Sequence, residues 1–128
     1  MPVKNAGENF DLDDDNRILE INAPREKIQG RTHVVVHKNK KERWVIIALE
    51  YEGDGPCLGM RWFWNKSGLP NSRQYATWRI LPKSMSEAIL QGGAALKLSP
   101  AKIGLLENFI AGKITGTDLK SKWNRKQA

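Results

Sequence analysis

Four of the five tryptophans, Trp44, Trp62, Trp64 and Trp78, fall between Glu42 and Leu90, and three of them adjoin an arginine: Arg43 beside Trp44, Arg61 beside Trp62, Arg79 beside Trp78. Aromatic faces next to fixed positive charge suit single-stranded nucleic acid, because bases stack on rings while phosphates seek cations. The same residues suit the core of a small sheet, since an indole buries a large area. Strand alternation divides them: Trp62 and Trp64 share one face, Arg61 and Phe63 the other. One set is therefore expected inside, and the Arg61 and Phe63 side is expected to face solvent.

Catalytic chemistry is poorly supplied. The chain has no G-x-S-x-G, no phosphate-binding loop and no paired-histidine motif for metal hydrolysis. Cys57, the single cysteine, has only His33 and His37 as possible base partners, and no spacing specifies such a pair. On a strand those two histidines would lie about 13 Å apart, too far to share a metal ion. Glu50, Glu52 and Asp54 follow a strand end, where carboxylates are commonly solvated. The aspartates from Asp11 to Asp15 suggest a calcium loop only superficially, because Asn16 and Asn22 stand where such a loop needs glycine and glutamate. The expectation is a protein that is not an enzyme, with no cofactor and no metal.

At 128 residues the chain has the length of one domain. Its net charge of +7 is unevenly spread: residues 1–30 hold 4 basic and 7 acidic side chains, leaving 17 basic and 7 acidic in the remainder. A basic domain behind an acidic segment is the electrostatic outline of a nucleic-acid binder whose own tail competes for its basic surface. No run approaches the roughly 20 apolar residues of a membrane span. The polar N-terminal stretch lacks the apolar centre of a secretory signal, which points to the cytoplasm.

The elements that must position the aromatic residues follow from periodicity. Residues 1–17 are acidic and of low hydrophobicity, and are expected to form a disordered tail. Residues 18–21 fit a short strand or a helical turn equally. Arg31 to Lys38, Arg43 to Glu52, Cys57 to Trp64 and Tyr75 to Leu81 read as strands. In the second of these, Val45, Ile47, Leu49 and Tyr51 form a core face, while Trp44, Ile46, Ala48 and Glu50 form a second face too apolar for open solvent. A homodimer would bury it. Ser84 and Glu87 fit a capping box for a first helix, and Ser99-Pro100 opens a second, with Ile103, Leu106 and Ile110 on one stripe. Residues 113–128 read as a basic C-terminal tail behind a single domain spanning 18–112. The fold class is α+β: a twisted antiparallel four-stranded sheet followed by a helix, plus an additional C-terminal amphipathic helix.

The segment from Cys57 to Leu90, with Met60-Arg61-Trp62-Phe63-Trp64 closing a strand before a Gly and Pro loop, a short strand and a helix, resembles the transcriptional coactivator PC4 family. The strand of Trp44 is similar to that of its bacterial members. The resemblance covers about half the chain. Where the family carries Lys-Gly-Ile at the start of its last strand, this chain has Thr77-Trp78-Arg79-Ile80, and the family pattern does not extend to the helix from Ser99. The resemblance implies a homodimer whose curved sheets hold single-stranded DNA, with Arg61, Lys66, Arg73 and Arg79 at the matching positions.

Together these features predict a non-catalytic protein that binds single-stranded DNA or RNA, acting in transcription, replication or DNA transfer. Its expected contacts are Arg43, Trp44, Arg61, Phe63, Lys66, Arg73, Trp78 and Arg79. The competing expectations are a protein-interaction module, and a small-molecule binder or small enzyme with a tryptophan-lined pocket.

Overall fold

Two strands of alternating apolar residues form the centre of the sheet. β2 (Trp44–Tyr51) and β3 (Gly55–Trp62), each of 8 residues, pair antiparallel from Trp44 opposite Trp62 to Tyr51 opposite Gly55. β1 (Val34–Asn39) flanks β2. A short hairpin, β4 (Asn71–Ser72) with β5 (Tyr75–Ala76), intervenes before β6 (Arg79–Leu81) joins the far side of β3. The sheet order is β1-β2-β3-β6, and the fold class is α+β. The computed structural model describes residues 9–21, 34–51, 55–64, 68–72, 75–92 and 96–123.

The expected last strand is thus broken in two. Thr77 and Trp78 leave the ladder between β5 and β6, and the Thr77 amide donates to the Pro70 carbonyl instead. In β1 the register shifts between Val35 and His37. Val36 is the extra residue of this β-bulge: it stays on the face of Val34, and the bulge turns His37 onto that side as well and sends Lys38 to the other.

Both faces of the sheet are covered. On one, Val45, Ile47, Leu49 and Cys57 pack with Phe63 and Trp78 against Phe10, Leu12, Ile18 and Ile21. The residues from Phe10 to Ile21 are therefore part of the domain. Phe10 and Leu12 are buried among the aspartates, and α1 (Asp15–Leu19), capped by the Asp14 carboxylate on the Arg17 amide, takes in Ile18 and Leu19 and ends at its C-cap Glu20, so this stretch is a helical turn and not a strand. This corrects the expectation of a disordered tail over 9–17; residues 1–8 lie outside the described residues.

On the other face Val34, Val36, Ile46, Ala48 and Leu58 lie under α2 (Lys83–Gln91), α3 (Pro100–Ile110) and α4 (Gly116–Trp123). The apolar second face expected to need a second copy is buried by the chain's own helices, at roughly 2 kcal/mol for each fully buried Leu or Ile. Ser99 caps α3 as expected, its hydroxyl accepting from the Lys102 amide. The capping box at Ser84 does not form: Pro82 takes the cap position, and the buried Ser86 ties α2 to the sheet by accepting from the Leu58 amide at 2.9 Å. α4 replaces part of the expected basic tail, with Leu119 fully buried and a reciprocal cap between Thr115 and Asp118.

Candidate nucleic-acid interface

Four of the eight expected contact residues, Arg43, Arg61, Phe63 and Trp78, are structural. Arg61, opposite Val45 in the ladder, is 0% exposed, and its Nη1 donates to the Thr77 carbonyl at 2.7 Å and the Pro70 carbonyl at 3.2 Å. It thereby anchors the excursion between β3 and β6. Burial lowers its pKa to about 10, so it remains charged at neutral pH. Phe63, also 0% exposed, sits between Phe10, with ring centroids 4.8 Å apart, and the edge of Trp78 at 6.4 Å. Trp78 is 2% exposed and donates its indole N–H to the Ile21 carbonyl at 2.6 Å.

The expectation that the Arg61 and Phe63 side faces solvent is therefore overturned. The Phe10 to Ile21 segment and the excursion after β3 close over it, and base stacking on Phe63 or Trp78 is sterically shut off. Arg43 is also engaged. At φ 59 it turns the chain into β2, its Nε donates to the Phe63 carbonyl at 2.7 Å, and its Nη2 donates to the Phe10 carbonyl at 3.1 Å. Lys66 and Arg73 lie outside the described residues, as do His33, Glu52 and Asp54.

The opposite face carries a different aromatic set. Trp44 and Trp62 are direct register partners on β2 and β3. The Trp62 ring stacks on Trp64 at 5.8 Å with the planes 21° apart, and the His37 ring meets Trp44 at 5.3 Å. His37, Trp44, Trp62 and Trp64 thus form a strip running across three strands and off the end of β3. His37, Trp44 and Trp62 are half-buried, while Trp64 is exposed. Leu69, exposed as well, extends the strip through two backbone hydrogen bonds with Trp62. Arg79, exposed on β6 opposite Met60, supplies a cation on this same face.

Glu42 fixes Trp44 by accepting from its indole N–H at 3.0 Å and from the Asn39 amide group at 2.9 Å. Beyond this point, the β1–β2 turn carries Lys40 and Lys41, both exposed. Lys40 pairs with Asp13, and Lys38 with Asp15 at 2.7 Å.

The sequence assigned Trp44 and Arg79 to the interface, and both lie on this face. It missed Trp62 and Trp64, although their shared parity with Met60 was readable. What it lacked was the knowledge that the opposite face is closed. Cys57 and His37 do not form a thiol and imidazole pair: Cys57 is buried under the Phe10 to Ile21 segment, and His37 lies across the sheet against Trp44. Among the described residues no three His, Cys, Asp or Glu side chains gather as metal ligands, and no helix is long and apolar enough to cross a membrane. No family model, curated protein or solved structure matches the chain.

Proposed function

We propose that this protein binds single-stranded nucleic acid across the strip of Trp44, Trp62 and Trp64, with Arg79 neutralising phosphate beside it. The observation that carries this reading is the stacked pair of Trp62 and Trp64 at the sheet's end, with Trp64 exposed. Exposed, preorganised indoles offer bases a π surface without sequence readout, and a chain of net charge +7 supplies the accompanying field. The protein acts without catalysis, in the cytoplasm, in transcription, replication or DNA transfer. The four antiparallel strands followed by α2 are consistent with the coactivator resemblance, which adds a homodimer to the proposal; sedimentation equilibrium tests that point.

The deciding experiment is titration with an oligothymidylate at several salt concentrations, read by quenching of tryptophan fluorescence. Trp64→Ala is expected to weaken binding about 5- to 150-fold, the range for one lost base stack. Arg79→Ala is expected to flatten the salt dependence by about 0.7 in log–log slope. An absence of binding by the wild-type protein at low salt rejects the function. Unchanged affinity in both variants rejects the site. Capture of a folded protein through the same residues, with no oligonucleotide binding, would favour the interaction-module reading instead.

A further inference from the structure

Each indole on the strip is held in place by a neighbour. Trp62 and Trp64 hold each other by stacking. Trp44 is held differently: its ring meets His37 at a tilt of 49°, and its Nε1 donates to the Glu42 carboxylate at 3.0 Å. That carboxylate is itself braced, since the same Oε1 accepts from the Asn39 side-chain amide at 2.9 Å while the Glu42 backbone amide donates to Asn39 Oδ1 at 2.8 Å. The two bonds between Asn39 and Glu42 close the turn without the indole, so the bond to Trp44 is an addition that acts on the ring. Burial does not require it either. Trp78, 2% exposed, must place its N–H on the Ile21 carbonyl, whereas the bond from Trp44 to Glu42 is exposed and water satisfies such an N–H equally well. A carboxylate on a surface that takes phosphate opposes binding through its charge. What it supplies here is a ring fixed before the strand arrives.

We infer that Glu42 is a positioning residue of the strip: its carboxylate oxygen, braced by Asn39, fixes the Trp44 ring so that an incoming base meets an ordered platform. This rests on the function proposed above and adds how that site is preorganised. Fixing a side chain in advance removes the entropy loss of ordering it on binding, a factor of about 2 to 12 in affinity for one side chain. The charge of Glu42 works in the opposite direction on phosphate, and substitution separates the two effects. Glutamine keeps an acceptor oxygen with two lone pairs and drops the charge, while alanine removes both.

The test compares Glu42→Ala and Glu42→Gln in the full chain by oligothymidylate titration at low salt, with the heteronuclear NOE of each indole N–H measured on the free proteins to read ring motion. Glu42→Ala is expected to weaken binding about 2- to 12-fold and to lower the NOE of Trp44 while that of the buried Trp78 stays as in the parent. Glu42→Gln is expected to keep the Trp44 NOE high and to bind at least as tightly as the parent, because a charge that repels phosphate is gone. If the alanine variant binds as tightly as the glutamine variant, Glu42 acts through charge alone, and the inference is overturned while the binding function stands. A glutamine variant as weak as the alanine variant, or a Trp44 ring that loosens in Glu42→Ala with no loss of affinity, overturns it in the same way. A fall in the Trp78 signal together with that of Trp44 means that Glu42 holds the fold and not the ring, and also overturns it. If neither the parent nor Glu42→Gln binds at low salt, the function falls and the inference with it, whatever the NOE shows.

Discussion

The guanidinium carbon of Arg61 lies 4.8 Å from the centroid of the Phe63 ring, and neither side chain reaches solvent. Arg61 is a strut between the sheet and the excursion that follows β3. Arg61→Ala leaves the carbonyls of Pro70 and Thr77 without this donor, and at roughly 1 to 3 kcal/mol for each buried polar group the expected loss of unfolding free energy is about 2 to 5 kcal/mol. Urea denaturation measures it. A variant as stable as the parent would show that the two bonds carry no weight.

Ser86 is the corresponding link on the opposite face. Its hydroxyl accepts from the Leu58 amide and lies 3.1 Å from the Pro82 carbonyl, so one small side chain joins β3 to the start of α2. Ser86→Ala strands a buried N–H, at an expected cost of about 1 to 3 kcal/mol. Hydrogen exchange at the Leu58 amide is expected to accelerate in step. Unaltered protection there would mean another group takes over the acceptor's place.

Leu119 separates a docked helix from a solvated tail. Leu119→Ala opens a cavity beneath α4 and is expected to cost about 2 to 5 kcal/mol, whereas the exposed Lys122→Ala is expected to stay within about 0.5 kcal/mol of the parent. Thermal melting of both variants distinguishes the cases. Equal melting temperatures would return this region to a tail.

Asp13 titrates below its ordinary value of 3.8, first through its hydrogen bond with Lys40 and then through that group's charge, and Lys40 titrates above 10.5 for the same reasons. A carboxylate with a depressed pKa contributes stability above its unfolded value and loses it as pH falls through the folded one. The lysine's contribution is complete below its unfolded value and is lost as pH rises through the folded one. The pair is therefore complete between about pH 4 and pH 10. Carbon-13 NMR of the Asp13 carboxyl is expected to give a midpoint below 3.8 that returns toward it in Lys40→Gln. A midpoint indifferent to that substitution would dissolve the pair.

The parts of this fold legible in the sequence are those written locally. Alternation in Val45 to Leu49 marks the central strand, and Ser99-Pro100 marks the start of α3, because pleat and cap chemistry act over a few residues. The identity of the solvent face was not local. It depended on Phe10 and Leu12, two apolar residues among aspartates, folding back over Phe63. Trp78 was misassigned because the chain leaves the ladder at Thr77, where counting by twos stops working. α4 did carry a readable sign: Thr115 and Asp118 stand at capping-box spacing, and Leu119 and Trp123 share a helical stripe.

The bulge between Val35 and His37 gives β1 two reading frames. Before it, even-numbered residues look toward the three later helices; after it, odd-numbered ones do. Deleting Val36, the residue with no register partner, would restore a single frame with His37 still opposite Ile46 and Lys38 still opposite Val45. Such a deletion would keep the imidazole against Trp44 and the ammonium beside Asp15, and would take only a buried valine from the helix-covered face: the extra residue serves packing, not the aim of its neighbours.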